Sequence, residues 1–284
     1  MEEMTEQAIR EFWDSHPCGE SQVESLRADH DAFFRRYDAF RYHQEAHILK
    51  RLDAIDFKGR HVLEIGLGQG ADSEQIIRRG AIWSGLDLSS ESVDRVSTRL
   101  RLRGLPYQRL ERGSALSLPF PDNSFDLVFA HGVLHHIPDV ITAQKEIARI
   151  LKPGGHLIAM LYARRSLNYL LAISIVRRVG IAAVFLGRVQ RSGLVGGHIA
   201  NAKRMGLRQY LRMSNFIHAN TDGPFNPYSK VYDLATVDND FPAFQVEKSY
   251  QDYMHAPPLP VSWLKPLARV LGWHLWVHLI PRKT

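Results

Sequence analysis

The sequence predicts an α/β fold built on a mostly parallel sheet with helices on both faces. Three observations carry that expectation. The stretch His61 to Ala71 reads H-V-L-E-I-G-L-G-Q-G-A, a short apolar run passing into a glycine turn. Asp72 to Arg79 then reads as a helix with Ile76 and Ile77 on its inner face. Further apolar runs at Ala81 to Leu86, Tyr107 to Leu110, Phe125 to Ala130 and His156 to Tyr162 alternate with amphipathic stretches. That alternation feeds parallel strands through helical crossovers.

At the N-terminus, residues 5–16 and 22–55 read as helices. Ala8, Ile9, Phe12 and Trp13 fall at helical spacing in the first; Phe33, Phe34, Tyr37, Phe40 and Tyr42, then Ile48, Leu49 and Leu52, do so in the second. An amphipathic helix packed on the sheet edge accounts for most of these aromatics. The alternative is a lid over a ligand, with Tyr37, Arg41 and Tyr42 as its polar contacts. Lys58-Gly59 punctuates the entry to the first strand, where Val62, Leu63 and Ile65 have the composition of a strand covered on both faces.

Gly66, Gly68 and Gly70 let the backbone take positive φ and let a ligand approach without meeting a Cβ. A strand, glycine turn and helix in succession form the unit that holds nucleotide-like ligands in α/β folds. Gly66-x-Gly68-x-x-Ala71 also satisfies the loose dinucleotide fingerprint, so the glycines alone do not choose the ligand. Glu64 stands where a carboxylate can face the turn. Asp87 ends the second strand, placed to accept hydrogen bonds from ribose hydroxyls.

Ser89 to Arg101 reads as a helix with Ser89 or Ser90 as its N-cap. The third strand leads into Gly113-Ser114-Ala115. Pro121-Asp122-Asn123-Ser124 is a turn by composition, and Thr142 to Leu151 is a helix stopped by Lys152-Pro153-Gly154-Gly155.

The 284 residues suffice for one large α/β domain with an insertion. The single cysteine, Cys18, rules out an internal disulfide, and no metal-ligand spacing of Cys and His occurs. The opening M-E-E-M-T-E-Q is too polar for a secretory signal. These features fit a cytoplasmic protein without a metal. Net charge is +6, but from Arg164 to Arg212 there are 10 Arg or Lys residues and no Asp or Glu, so the rest of the chain is net acidic. Within this segment, Leu167 to Val189 is long and apolar enough to suggest a membrane span, yet Arg177 and Arg178 sit near its centre. Each costs about 2.5–3.5 kcal/mol at the middle of a bilayer. A pair of helices broken near Gly180 is the expectation, packed on the core or attached at a lipid interface.

Taken together, H-V-L-E-I-G-L-G-Q-G-A, L-P-F-P-D-N-S-F-D-L-V-F (Leu118 to Phe129), H-G-V-L-H-H-I-P-D (His131 to Asp139) and L-K-P-G-G-H-L (Leu151 to Leu157) closely resemble a class I S-adenosylmethionine-dependent methyltransferase of the small-molecule, type 11-like kind. The resemblance covers Phe57 to Tyr162 strongly. It is weaker from Glu11 to Leu49, where E-F-W-D-S-H-P-C-G and R-Y-H-Q-E-A-H-I look like the lead-in of some bacterial members. The motifs are specific for fold and cofactor, not for substrate. The resemblance implies a Rossmann-like, seven-stranded sheet whose last two strands, at Phe244 to Tyr250 and Trp273 to Ile280, are antiparallel. It implies four parts: an N-terminal helical lid at 1–56, a cofactor-binding core at 57–163, a helical basic cap at 164–227, and the C-terminal part of the sheet at 228–284.

By the same resemblance, Glu64, Gly66, Gly68, Gly70, Asp87, Leu88, Ser114, Ala115 and His131 are the expected cofactor contacts. The family usually has an acidic residue where Ser114 stands; serine offers a hydrogen bond without the charge. Methyl transfer from a sulfonium needs orientation and exclusion of water, and a neutral acceptor also needs a base. His136 is the expected base or substrate contact, with His131 a second candidate and cofactor neighbour; His135 is expected to pack beneath the loop. Tyr37, Arg41 and Tyr42 from the lid, and His218, Asp222, Asn226 and Tyr228 from the polar loop ending the cap, are the expected substrate contacts. That loop also reads as an ordinary surface turn. The expected activity is S-adenosylmethionine-dependent methylation of a small molecule, of the kind found in bacterial secondary metabolism, with an anionic acceptor held by cap arginines as one form. A lipid or prenylated ring at a membrane surface, with peripheral contact through the cap, and a non-catalytic cofactor-binding protein are the alternatives. Nucleic acid ranks below these, because no RNA-binding module accompanies the arginines.

Overall fold

A computed structural model describes residues 6–17, 19, 26 and 28–282. Cys18 and the beginning of the helix expected over 22–55 lie outside the described residues. In chain order the elements are α1 (Glu6–Ser15), α2 (His30–Gln44), α3 (His47–Asp53), β1 (His61–Ile65), α4 (Ala71–Arg78), β2 (Ile82–Asp87), α5 (Ser90–Arg103), β3 (Arg109–Arg112), β4 (Phe125–His131), α6 (Val140–Ile150) and β5 (Leu151–Tyr162). A π-helical stretch, Asn168–Arg177, runs directly into α7 (Arg178–Leu186). Then come α8 (Gly193–Met205), α9 (Leu207–Tyr210), α10 (Met213–Phe216), α11 (Leu234–Asp240), β6 (Phe244–Asp252), α12 (Ala268–Leu271) and β7 (His274–Pro281).

The sheet has seven strands in the order β3-β2-β1-β4-β5-β7-β6. The first five are mutually parallel; β7 lies antiparallel to both β5 and β6. This is the expected sheet, including its antiparallel edge. Alternation along the strands divides the core between its faces. Val62, Leu127, Phe129 and Ile158 join Ile48, Ile76, Val96 and Leu100 from α3, α4 and α5. Leu63, Val128, Leu157 and Ala159 join Val140, Ala143 and Ile147 of α6 and Val237 of α11.

The sequence expectations differ from the structure at three places. The single helix expected up to residue 55 is two helices. The Asp29 side chain accepts from Ala32 N at 3.0 Å and starts α2 there, and the chain turns at Glu45 before α3. The turn serves two packing surfaces: Phe33, Phe34 and Tyr37 pack with Ala71, whereas Ile48 and Leu52 reach the sheet. The second difference is at β5, which begins at Leu151. The Lys152-Pro153-Gly154-Gly155 stop ends α6 as expected, but Leu151 already pairs with Phe125 across a register shift. Lys152 Nζ, held 2.9 Å from the Asp126 carboxylate, fastens this bulged start. Third, Gly180 breaks nothing. A mid-helix glycine costs about 1 kcal/mol relative to alanine, and the burial of Ile173 and Ile181 on either side keeps the helix continuous. Ser89 caps α5 as expected, accepting from Ser92 N at 3.3 Å.

The excursion after β5 leaves and returns through one neck. Tyr232 N donates to Tyr162 O at 2.8 Å and Arg164 N to Tyr232 O at 2.7 Å. The excursion therefore begins and ends at the carboxyl end of β5.

One buried guanidinium ties the N-terminal helices to the core. Arg99 of α5 is 0% exposed. Its Nε donates to Glu74 Oε2 of α4 at 2.9 Å, its Nη1 to Gln69 O of the glycine turn at 3.3 Å, and its Nη2 to the Asp38 carboxylate of α2. Removing one member of a buried ion group leaves the others desolvated and unpaired, at a cost of about 3–5 kcal/mol. Arg99→Ala is therefore expected to lower unfolding free energy by about that much in denaturant titrations. Arg78→Ala removes a half-exposed partner of the same Glu74 and should cost under about 1 kcal/mol. Equal losses in the two variants would contradict the anchoring role.

Candidate active site

The glycine turn is shaped by what surrounds it. Gly66 has φ +77°, and a Cβ there would lie 2.0 Å from Val133 Cγ2, so no side chain fits. Gly68 has φ +51° with nothing within 4 Å of its missing Cβ; its open side faces a cleft and would be filled by any larger residue. Gly70, φ +74°, precedes α4 and packs against Val96 and Arg99 behind the turn. It supports the cleft without lining it.

Asp87 holds this turn in place. Its Oδ2 accepts from Leu67 N at 2.6 Å and its Oδ1 from Ser89 N at 2.8 Å. Burial pushes its pKa upward, while the main-chain N–H groups of Ser89 and Leu67 pull against that. Each carboxylate oxygen accepts more than one hydrogen bond, so capacity remains toward the cleft. Leu88 and Ala115 line the same end. Ser114 Oγ accepts from Leu116 N at 3.0 Å and donates to the Glu6 carboxylate. An acidic group thus reaches this position from α1, although the local sequence supplies only serine.

The cleft has a volume of about 290 Å³ and runs from Glu6 and Ala115, past the glycine turn, to His136 and Asp222. Midway stands a compact ionic group. Asp72, in the first turn of α4, accepts from Arg41 Nη2 at 2.7 Å, from His131 Nδ1 at 2.6 Å and from the Tyr42 hydroxyl at 3.2 Å. Burial alone would raise Asp72; Arg41 and His131 outweigh it and hold the carboxyl well below the usual range. Glu64, 2% exposed, accepts from Trp83 Nε1 at 2.8 Å. Burial and the nearby Asp72 charge raise its pKa to about 8.

At the far end, His136 Nδ1 lies 2.8 Å from the Tyr228 carbonyl and 3.0 Å from Ser229 Oγ. A carbonyl only accepts, so Nδ1 carries the hydrogen and Nε2 of the neutral ring keeps its lone pair. Nε2 faces Asp222 Oδ2 at 3.4 Å. Both atoms are buried, and among the described residues neither has a hydrogen-bond partner. The other Asp222 oxygen accepts from the Tyr162 hydroxyl at 2.8 Å. Trp13 closes over His136, ring centroids 5.1 Å apart. His135 is fully buried against the Tyr162 ring, and burial holds its pKa well below the ordinary value.

Of the residues singled out from sequence, Glu64, Gly66, Gly68, Asp87, Leu88, Ala115, His131, His136, Tyr37, Arg41 and Asp222 line this one cleft. Tyr42 reaches it through Asp72. His218, Asn226 and Tyr228 stand behind it: His218 stacks on Tyr228, and Asn226 Nδ2 donates to Ser229 Oγ at 2.8 Å, bracing the strand of chain that holds His136. Among the described lining residues, the only arginine is Arg41; the arginines from Arg164 to Arg212 lie elsewhere. Sequence reasoning missed Glu6, Trp13, Asp72, Tyr162 and His274, all lining residues. Asp72 immediately follows the glycine turn, and Tyr162 ends a parallel strand on the ligand-binding side; those positions could have revealed both. Nothing in the sequence connects Glu6 to Ser114.

Comparison with known proteins gives a consistent result. A family profile described as a methyltransferase domain matches residues 63–159. The chain is 34% identical over 125 residues to the fatty-acid O-methyltransferase of Mycolicibacterium smegmatis, covering 43% of this chain and 42% of that protein. It is 36% identical over 107 residues to the demethylmenaquinone methyltransferase of Geobacillus kaustophilus, covering 36% of this chain and 45% of that one. The chain thus spans less than half the length of these relatives. In fold it is similar to the crystal structure of an S-adenosylmethionine-dependent methyltransferase from Mesorhizobium loti, with TM-score 0.53 and 18% identity over 84% of this chain and 98% of that one.

The state of Glu64 is open to measurement. Unfolded, this carboxyl titrates near its ordinary 4.5; folded, near 8. Between those values folding takes up a proton, so stability falls as pH rises through the window. Glu64→Gln stays neutral and keeps an acceptor for Trp83 Nε1. Its stability relative to wild type is expected to increase steadily from pH 5 toward pH 8 in denaturant titrations. A difference independent of pH would show that Glu64 is ionised in the folded protein.

Proposed function

We propose, from the match of residues 63–159 to a methyltransferase-domain profile, that this chain is a class I S-adenosylmethionine-dependent methyltransferase and that it methylates the hydroxyl or amine of a small molecule. The observation that carries the acceptor class is the pair His136 Nε2 and Asp222 Oδ2, 3.4 Å apart at the cleft wall. With His136 neutral both are hydrogen-bond acceptors, and among the described residues neither finds a donor. A buried acceptor without a partner costs about 1–3 kcal/mol. A substrate O–H or N–H placed there satisfies them; a second carboxylate beside Asp222 would be repelled.

The residues fit S-adenosylmethionine. Gly68 leaves main chain open to the ligand, Asp87 has acceptor capacity for ribose hydroxyls, and Glu6 with Ser114 offers an acceptor for the adenine amino group. Asp72 and Arg41 present opposite charges suited to the two ends of an amino acid. When bound, the cofactor supplies a methyl group made electrophilic by its sulfonium. The chain's own part is to orient, to exclude water and to take a proton. Tyr228 fixes the His136 tautomer through its carbonyl, so Nε2 receives the acceptor's proton. Asp222 then faces the imidazolium and stabilises it, its own position set by Tyr162. Trp13 covers the reacting end, which strengthens these interactions by keeping water out.

The division into a lid at 1–56, a core at 57–163, a cap at 164–227 and a returning sheet segment at 228–284 belongs to this proposal, as does a cytoplasmic site of action. A lipid or prenylated ring is the second reading of the acceptor. It draws on the names of the two relatives above and on an exposed apolar face of the cap.

Calorimetric titration with S-adenosylmethionine tests the cofactor assignment. Glu6→Ala is expected to weaken affinity about ten- to hundredfold, the range for a hydrogen bond to a charged group. Asp87→Ala should weaken it further; unchanged affinity there would sink the assignment. His136→Gln should leave affinity within about twofold and lower turnover about 10²- to 10⁴-fold. Turnover is read with methyl-labelled cofactor and cell extract divided into metabolite, lipid, RNA and protein fractions. Label in metabolites supports the proposal, label in lipid moves it to the second reading, and absence of label despite cofactor binding points to a non-catalytic protein.

A further inference from the structure

The stretch from Asn168 to Leu186 is one continuous helix of 19 residues; its most apolar 18-residue window has mean hydropathy 1.9, yet only 17% of that window is buried. Its inner side is committed to the domain. Ala172, Ile173 and Ile181 are buried, and Arg177 donates to Asn220 O at 2.7 Å and to Pro257 O at 2.9 Å. Its outer side is bare: Leu170 is 50% exposed, Ile175 53%, Val179 64% and Leu186 71%. The segment that packs on this helix through Ala172 and Val261 adds Trp263 at 75% and Val270 at 66% exposure. Isolated exposed apolar residues are ordinary; several on one helix and its neighbour mark an interaction surface.

Charge narrows the partner. The helix lies within the segment that has 10 Arg or Lys residues and no acid. Among the described residues, none of those cations joins an ion pair. Arg188, Arg191, Arg204 and Arg208 of this segment are exposed. We propose that this apolar face docks on the surface of an anionic lipid bilayer, with Ile175, Val179, Leu186 and Trp263 entering the interface and the segment's arginines meeting headgroup phosphates. Crossing the bilayer is excluded by Arg177, whose guanidinium is bound to main chain of the domain at mid-helix. A second copy is disfavoured, because a two-fold contact sets the same cationic segment against itself. Nucleic acid would engage the arginines and leave the aliphatic side chains in water. The opposite side of the helix belongs to the cluster of Ile173, Phe216 and Trp273, against which Tyr162 of the cleft packs. Docking would therefore bring the roof of the cleft to the membrane.

Co-sedimentation of the full chain with vesicles tests this, comparing phosphatidylglycerol mixed into phosphatidylcholine with phosphatidylcholine alone. The chain should pellet with the anionic vesicles at low salt and less at high salt. Ile175→Asp with Val179→Asp, and independently Leu186→Asp, should lower partitioning at least tenfold. Melting temperature and S-adenosylmethionine affinity should hold, since these side chains lie outside the core and the cleft. Arg188→Glu with Arg191→Glu should also lower partitioning and remove part of the salt dependence. No binding at low salt, or equal binding by wild type and all variants, overturns the proposal. So does a lipid-free dimer in light scattering that the aspartates dissolve, or RNA binding that they leave untouched. Because the readout is vesicle binding, its failure is distinct from failure of the proposed chemistry.

Discussion

The site depends first on the carboxylate of Asp87. The turn has positive φ at Gly66, Gly68 and Gly70; main-chain carbonyls hold two of its N–H groups, Gly66 N donating to Leu86 O of β2 and Gly70 N to Leu67 O, each at 2.9 Å. Asp87 takes the Leu67 N–H with one oxygen and the Ser89 N–H with the other. A single residue at the end of β2 therefore fixes both the turn after β1 and the start of α5. The group that would recognise a ligand is also the group that builds the surface on which the ligand lies. Asp87 itself lines the cleft.

From that turn outward, each layer is fastened by a charge that cannot be left alone. Arg99 lies behind the turn and takes a main-chain oxygen from it while holding Glu74 and Asp38. Asp72 lies in front and gathers Arg41 and Tyr42 from α2 and His131 from the end of β4. Buried ions fix geometry because any displacement leaves one unpaired. The N-terminal helices thus acquire a defined position although few of their residues reach the main core.

How much of this could be read from the residues follows from how local each cause is. The glycine turn, the Ser89 cap and the strand ending in Asp87 are each written within a few residues, and all were legible. The parallel strands followed from the alternation of strands and helices, the antiparallel edge from the family resemblance. His136 was visible as a candidate, but its partner Asp222 comes from a distant loop that only the closed neck at Tyr232 brings home. The acidic partner of Ser114 is more distant still, on α1, where one glutamate among several in a polar stretch carries no mark. The misread elements were those in which packing overrode local preference. Gly180 invited a break that Ile173 and Ile181 prevent. The glycines after α6 invited a loop where Leu151 and Lys152 instead extend β5.

Helix α1 touches both ends of the cleft. Glu6 meets Ser114 at one end, Asp14 accepts from Ser89 Oγ at 2.6 Å in between, and Trp13 covers His136 at the other. A rigid rod pinned at both compartments cannot open one and leave the other shut. If the proposed methyl transfer holds, entry of cofactor and departure of product would share one event, the lifting of a single helix. Turnover would then have a clock of its own: the rate at which α1 detaches, set by three side chains, none of which needs to take part in breaking or making a bond to carbon.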